Sequence, residues 1–226
     1  MYQKMKSVVV ASLYPVLYFS CQLVVQVAMV QILIYQYGRE DHLIQRVNQK
    51  MYIMTLWAAI LCFFLLVLIS FIKKQRVFKD YYKISFRQGL FYTVSTVGLY
   101  IMIVVMNSVL IQFFPSYNDQ IMDLFQIEQP VLAILVIGII APCIEELIFR
   151  GEVYGELEKS FKTPVVIFLQ AALFGLVHPI GLQKIQTFVM GLFFGYVRAK
   201  SKNIWASTIM HITSNMIACL LVLIVL

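Results

Sequence analysis

The chain has 226 residues, of which 61% are hydrophobic and only 13% are charged, and it carries a formal net charge of +7. Soluble domains are roughly half apolar and about a quarter charged, so this composition excludes an ordinary soluble enzyme or binding domain. The mean hydropathy is +0.84, and the apolar residues gather in long runs, which is typical of membrane-spanning helices. The sequence therefore predicts an all-α fold, a polytopic helical bundle integral to a membrane.

Apolar runs that can cross a bilayer follow one another along the chain. About 20 apolar residues form one helical span, and by this measure we expect about seven spans, with six to eight as the range. They cover residues 8–36, 51–72, 89–114, 130–157, 163–181, 184–199 and 203–224. In the short sixth segment Gly191 and Gly195 stand four residues apart, a spacing that allows two helices to approach closely.

Basic residues predict the orientation in the membrane, because cytoplasmic loops carry an excess of Lys and Arg. The loop after the second segment holds six of these residues, and the loop after the third holds none. With seven spans and a cytoplasmic amino terminus, fourteen of the 18 Lys and Arg fall on the inner side. This excess and its contact with anionic lipid explain the positive net charge. No motif indicates a nucleic-acid partner.

Charged side chains at membrane depth are unusual, because each costs roughly 2.5–3.5 kcal/mol at the bilayer centre on insertion scales. Such residues usually mark a functional site or a buried ion pair. The later segments hold polar residues of this kind in three short motifs. These are "EELIFR" with Glu145, Glu146 and Arg150, "FGLVH" with Phe174 and His178, and "HITSN" with His211 and Asn215.

Helical spacing sorts these residues by face. Glu146 and Arg150 are four apart, so they share a face and can pair. Glu145 is turned about 100° from Glu146 and is left outside that pair. His211 and Asn215 also share a face. Each pair on its own could be structural, as a neutralised ion pair or as polar contacts between helices, but the motifs together predict one functional site.

The residue types favour hydrolysis. A carboxylate in apolar surroundings can serve as a general base, and a neighbouring histidine can share that role and hold a water. A histidine and an amide one turn apart can aim two donors at one oxygen, as an oxyanion requires. Together these groups indicate attack of water on an acyl bond, most simply a peptide bond. Zinc held by the same side chains is the alternative, although the sequence has no HExxH motif.

The three motifs, complete and in this order, resemble the pattern of the CPBP family, the CAAX proteases and bacteriocin-processing enzymes also called Abi. That pattern reads EExxxR, FxxxH and then HxxxN or HxxxD, and the resemblance covers about residues 90–220. It implies a glutamate-type intramembrane endopeptidase without a catalytic zinc, although the family has been called metalloproteases. It also implies a catalytic core in residues 89–226, preceded by variable transmembrane helices and a basic cytoplasmic loop in residues 1–88.

The resemblance implies a role for each motif residue. Glu145 is the general base and His178 is its partner on the attacking water. His211 and Asn215 are the oxyanion donors, and Glu146 with Arg150 is the supporting pair. The implied substrate is a membrane-associated peptide or protein, as in CAAX, bacteriocin or signal-peptide processing or in self-immunity. The implied setting is a bacterial cell membrane in which other membrane proteins could be partners, and no cofactor is expected.

Three alternatives remain at this stage. One is a non-catalytic membrane immunity or partner-binding protein of the same fold. Another is a zinc-dependent protease that uses the same residues. A proton-coupled transporter would also place Glu and His inside the membrane, but the sequence shows no inverted repeat of the kind found in many transporters.

Overall fold

The computed structural model describes residues 1–38, 42–74, 80–119 and 129–225, and the regular secondary structure within these ranges is helical. This confirms the predicted all-α bundle. The helices are α1 (Tyr2–Tyr37), α2 (Leu43–Gln49), α3 (Met51–Ile72), α4 (Phe86–Leu110, followed by a 3-10 turn at Ile111–Phe113), α5 (Pro130–Glu158), α6 (Thr163–Leu176), α7 (Gly181–Ser201) and α8 (Ile204–Val225).

All seven predicted segments are helical, but they differ in their ability to cross a membrane. Among the described residues, five helices are long and apolar enough, namely α1, α3, α4, α5 and α8. Helix α6 has 14 residues, which gives a length of about 21 Å, less than the roughly 30 Å of a bilayer core. Helix α7 is longer but carries several polar and basic residues. The protein is therefore an integral membrane protein with five candidate spans and a helical hairpin, α6–α7.

Helix α5 lies in the middle of the bundle. It packs against α1, α3 and α8, and its most apolar window is 44% buried, more than that of the other four candidate spans. Tyr14 and Tyr18 of α1 share one hydrophobic cluster with Ile144, Ile148 and Phe149 of α5. The amino-terminal helix, which the sequence places outside the core region, thus covers one face of the helix that carries the acidic motif.

Helix α5 is not a regular α-helix. Two stretches, Ile134–Ile140 and Leu147–Val153, have the wider π-helical turn, and they flank an α-helical piece, Ala141–Glu146. Pro142 lies in that piece, and a proline inside a helix removes a backbone donor and clashes with the preceding turn. Such interruptions of the hydrogen-bond ladder accompany π-bulges. The acidic pair therefore lies between two widened turns.

The α6–α7 hairpin is held by close contacts at glycines. A Cβ added at Gly191 would lie 3.1 Å from the Cα of Ala171, which confirms the close approach that the glycine spacing predicts. A Cβ added at Gly175 would lie 2.8 Å from the carbonyl oxygen of Lys184 and 2.9 Å from the Cβ of Phe188. The small residues bring α6 against α7 just before the chain reaches His178.

Polar contacts bring several helix ends together at one end of the bundle. The hydroxyl groups of Ser7, at the start of α1, and Ser160, just after α5, are 2.8 Å apart. Lys73, at the end of α3, lies 3.8 Å from Glu156 at the end of α5. These are the ends that the distribution of basic residues predicts to share one side of the membrane. Of the long basic loop, residues 75–79 lie outside the described residues.

We expect Gly175→Ala to lower the thermal stability of the purified protein in detergent, because the new Cβ would press on the backbone of α7. Overpacking of this kind typically costs about 1–3 kcal/mol. Gly98→Ala in α4 is the matched control, since a Cβ at Gly98 meets nothing within 4 Å. Unfolding midpoints that fall equally in both variants would contradict the close contact at Gly175.

Candidate active site

The first and third motifs meet at the carboxylate of Glu146. Its Oε1 lies 2.9 Å from a terminal nitrogen of Arg150, which confirms the predicted i, i+4 pair. The same oxygen accepts a hydrogen bond from Nδ1 of His211 on α8, also at 2.9 Å. The Glu146 side chain is 0% exposed. One buried carboxylate thus ties α5 to α8 and neutralises the guanidinium beside it.

Arg150 extends this contact to the hairpin. Its guanidinium lies over the ring of Phe174 on α6, 4.5 Å from the centroid, and 5.2 Å from the centroid of Phe194 on α7. One nitrogen also donates to the carbonyl of Gly191 at 3.5 Å. Aromatic faces attract a desolvated cation. Arg150 is therefore stabilised jointly by α5, α6 and α7, and Phe194 is a contact that no sequence motif indicated.

Glu145 faces a different environment from its neighbour. Its Oε2 lies 3.6 Å from Nε2 of His211, and its side chain is 17% exposed, whereas that of Glu146 is fully buried. The structure therefore keeps Glu145 outside the Glu146–Arg150 pair, as the helical spacing indicates. Of the two acids, Glu145 is the one with access to solvent or substrate.

In both histidines Nδ1 is engaged in a hydrogen bond, so Nε2 is the ring nitrogen that remains available. Nδ1 of His178 lies 2.8 Å from the carbonyl oxygen of Phe174, which can only accept, so Nδ1 carries the proton. Nδ1 of His211 likewise donates to Glu146. In each neutral ring, Nε2 is then left as an acceptor. The ring of Phe174 packs against both histidines, at centroid distances of 5.0 and 5.5 Å, and so fixes their spacing.

His178 belongs to the same cluster as Glu145. It lies within electrostatic range of both Glu145 and His211. Because α6 ends at Leu176, His178 occupies the turn of the α6–α7 hairpin rather than the middle of a span. The short length of α6 thus brings this histidine to the level of the acidic pair.

Asn215 makes a contact that its spacing does not reveal. Its amide nitrogen donates to the carbonyl of Ile137 in α5 at 2.9 Å. One of the two amide hydrogens is therefore committed to the backbone, and one remains for an oxyanion. The predicted partner donor, His211, can donate through Nε2 only when its ring carries both protons, because Nδ1–H is directed at Glu146.

Two further side chains support the site without belonging to a motif. Gln170 is buried in α6 and donates to the carbonyl of Gly191 at 2.8 Å. Arg198 of α7 donates through Nε to the carbonyl of Arg150 at 3.2 Å, and through a terminal nitrogen to Asp80 at 2.6 Å. A polar residue within an apolar helix was the available signal for Gln170. Arg198, near the helix end, looks in sequence like an ordinary cytoplasmic charge.

A catalytic zinc site would need three protein side chains around one ion. Within the ranges that the structure describes, no three His, Cys, Asp or Glu side chains lie close enough to share one metal ion. Glu146 and Nδ1 of His211 are already engaged with each other. In this arrangement these two side chains satisfy each other rather than a metal ion.

Comparison with known proteins identifies the region that contains these residues. Residues 127–217 match the family model described as "Type II CAAX prenyl endopeptidase Rce1-like". A stretch of 101 residues is 31% identical to the protein named "Putative membrane peptidase YdiL" from Bacillus subtilis (strain 168). That match covers 44% of this chain and 41% of the relative, so the chain spans about two fifths of the relative's length. No solved structure matches the chain.

The matched region contains all three motifs, from Glu145 to Asn215. The resemblance noted in the sequence is thereby confirmed over residues 127–217, which are similar to type II CAAX prenyl endopeptidases. The fold around the motifs is a membrane bundle with the acidic motif on its central helix.

We expect the two adjacent acids to differ sharply in their effect on stability. Glu146→Ala leaves the buried guanidinium of Arg150 unneutralised, and breaking a buried ion pair in this way costs about 3–5 kcal/mol. Glu145→Ala removes a partly exposed side chain outside that pair and should shift the unfolding midpoint little. Thermal unfolding of both variants in the same detergent measures the difference. Equal midpoints would show that the Glu146–Arg150 contact does not stabilise the bundle.

Proposed function

We propose that the protein is an intramembrane endopeptidase that hydrolyses a peptide bond in a membrane-associated peptide or protein. The observation that carries this proposal is that the two adjacent acids differ in burial and in their contacts. Glu146 is buried against Arg150 and His211, whereas Glu145 is partly exposed and lies near the Nε2 atom of a histidine. The family match of residues 127–217 supports the same class of activity.

The proposed reaction begins with a water held between Glu145 and Nε2 of His178. Glu145 accepts a proton as the water oxygen attacks the carbonyl carbon of the scissile bond. The carbonyl oxygen becomes an oxyanion, and the C–N bond breaks when the tetrahedral intermediate collapses. Glu145 returns the proton to the leaving amine, so that its carboxylate is regenerated with a carboxylic acid and an amine as products.

The oxyanion is stabilised by donors from α8. The second amide hydrogen of Asn215 and the Nε2–H of a protonated His211 are the proposed donors. A carboxylate at Nδ1 orients an imidazole and stabilises its charged form. The 2.9 Å contact between Oε1 of Glu146 and Nδ1 of His211 supports such a role for Glu146. The proposal therefore gives Glu146 and Arg150 a supporting role, through the protonation and orientation of His211.

Cleavage by the reconstituted protein tests this proposal. The substrates are membrane-anchored peptides that end in a CAAX sequence, with and without a prenyl group, and products are followed by mass spectrometry. We expect Glu145→Gln, His178→Ala and His211→Ala each to lower kcat/KM by roughly 10²–10⁴-fold, the usual contribution of general acid–base groups. Activity that survives all three substitutions would exclude this mechanism.

Matched controls make the same chemical changes outside the site. Glu158→Gln alters an exposed acid near the end of α5, and His42→Ala alters an exposed histidine before α2. Both should retain wild-type cleavage. The proposed mechanism needs no cofactor, so a chelator should leave the activity unchanged in the same assay. Loss of activity in the chelator, restored by zinc, would favour the metal-dependent alternative.

We further propose that the amino terminus is cytoplasmic. The contacts of Lys73 and Ser7 with the end of α5 support one shared side for these helix ends, and basic residues are concentrated there. Five spans with a hairpin and seven full spans both give an odd number of crossings. In a bacterial host, a carboxy-terminal alkaline phosphatase fusion should therefore be active and a carboxy-terminal green fluorescent protein fusion dark. The opposite pattern would invert the orientation.

A further inference from the structure

The first π-helical stretch of α5 ends at a carbonyl that a side chain satisfies. The N–H of Ala141 donates five residues back, to the carbonyl of Val136. The next donor in that register would be residue 142, which is proline and has no N–H. The next carbonyl, that of Ile137, instead accepts the amide nitrogen of Asn215 at 2.9 Å. Asn215 thus takes the place of a missing backbone donor.

A side-chain donor also lies at the end of the second π-helical stretch, although residue 155 is a glycine and has the N–H that Pro142 lacks. The N–H of Tyr154 donates five residues back, to the carbonyl of Phe149. The next carbonyl, that of Arg150, accepts Nε of Arg198 on α7 at 3.2 Å. The return from π-helical to α-helical bonding thus coincides twice with a side-chain donor from another helix.

The packing of α8 is fitted to this contact. A Cβ added at Gly138, next to Ile137, would lie 2.7 Å from the sulfur of Met216, next to Asn215. The space at Gly138 is thus filled by the Met216 side chain, beside the point where the Asn215 amide reaches the Ile137 carbonyl. In a membrane no bulk water replaces a lost donor, so an unsatisfied carbonyl there is costly.

The bulges matter for the site because they set the direction of the acidic pair. A π-bulge inserts about one residue into an α-helical ladder, and one residue corresponds to about 100° of rotation. If the first bulge closed, Glu145 and Glu146 would turn by about that angle relative to Pro130–Ala133. Glu145 would then lose its position beside Nε2 of His211.

We propose that Asn215 is a positioning residue that holds the first π-bulge open at Ile137 and thereby aims Glu145. The proposal rests on the proposed peptidase function, and it is separate from any donation by Asn215 to an oxyanion. A pure oxyanion donor would act independently of residue 142. A positioning residue would be coupled to it, because an N–H restored at residue 142 can itself donate to the Ile137 carbonyl.

A double-mutant cycle in the complete protein tests the coupling. We expect Asn215→Ala to lower kcat at least tenfold more in the parent protein than in Pro142→Ala, where only the loss of its oxyanion donation remains. Pro164→Ala is the matched control, because Pro164 lies in the first turn of α6, where an N–H has no helical partner. In that background the loss caused by Asn215→Ala should be undiminished. Equal losses in all backgrounds would overturn the proposal.

Thermal unfolding of the same proteins provides a readout that does not depend on activity. Asn215→Ala should lower the unfolding midpoint in the parent protein and lower it less in the Pro142→Ala protein. Equal decreases in the two backgrounds would also overturn the proposal, including in the case that Pro142→Ala is itself inactive. If the parent protein cleaves no substrate, the peptidase function fails, while the unfolding cycle still decides whether Asn215 supports the bulge.

Discussion

The structure depends on one buried ionic contact, in which the carboxylate of Glu146 meets both Arg150 and His211. A guanidinium at 0% exposure in a membrane protein requires neutralisation, and Glu146 supplies it at 2.9 Å. Phe174 and Phe194 then cover the cation with their rings. Through this contact α5, α6, α7 and α8 are held around one centre, and the positions of the remaining site residues follow from it.

The contact also gives two adjacent identical residues different tasks. The carboxylate of Glu146 is engaged by Arg150 and His211, so it is poorly placed to accept a proton from a water molecule. Glu145 is turned from Glu146 by about 100° around the helix axis, and its side chain remains partly exposed. Placing a spare carboxylate beside an imidazole in low-dielectric surroundings is a common requirement for general-base catalysis. The burial of one acid is thus what leaves the other available.

Helix α5 shows how irregular backbone is tolerated inside such a bundle. Its π-helical turns release carbonyls that lipid could not satisfy, so donors must come from neighbouring helices. Asn215 and Arg198 supply them at Ile137 and Arg150. Side-chain contacts to the main chain therefore couple the shape of the central helix to the packing of α7 and α8.

The sequence by itself determined the membrane class, the positions of the helices, the Glu146–Arg150 pair and the similarity of residues 127–217 to CAAX prenyl endopeptidases. These depend on apolar run length and on spacing within one helix, which are local properties. It predicts about seven spans, whereas five helices of the described residues are long and apolar enough to cross a membrane, because hydropathy alone does not separate a short hairpin helix such as α6 from a span. The division into a variable region of residues 1–88 and a catalytic core of residues 89–226 stays a prediction, and Tyr14 and Tyr18 of the first region pack on α5.

Only the tertiary structure decided the partners across helices. Each of these contacts joins two different helices. His211 and Glu146 are 65 positions apart, Arg150 and Phe174 are 24 apart, and Asn215 and Ile137 are 78 apart. Helical periodicity predicts which residues share a face. It does not predict which neighbouring helix contacts that face, or where the backbone hydrogen bonds change from the α-helical to the π-helical pattern. Those choices are made by packing and by the need to satisfy every buried polar group.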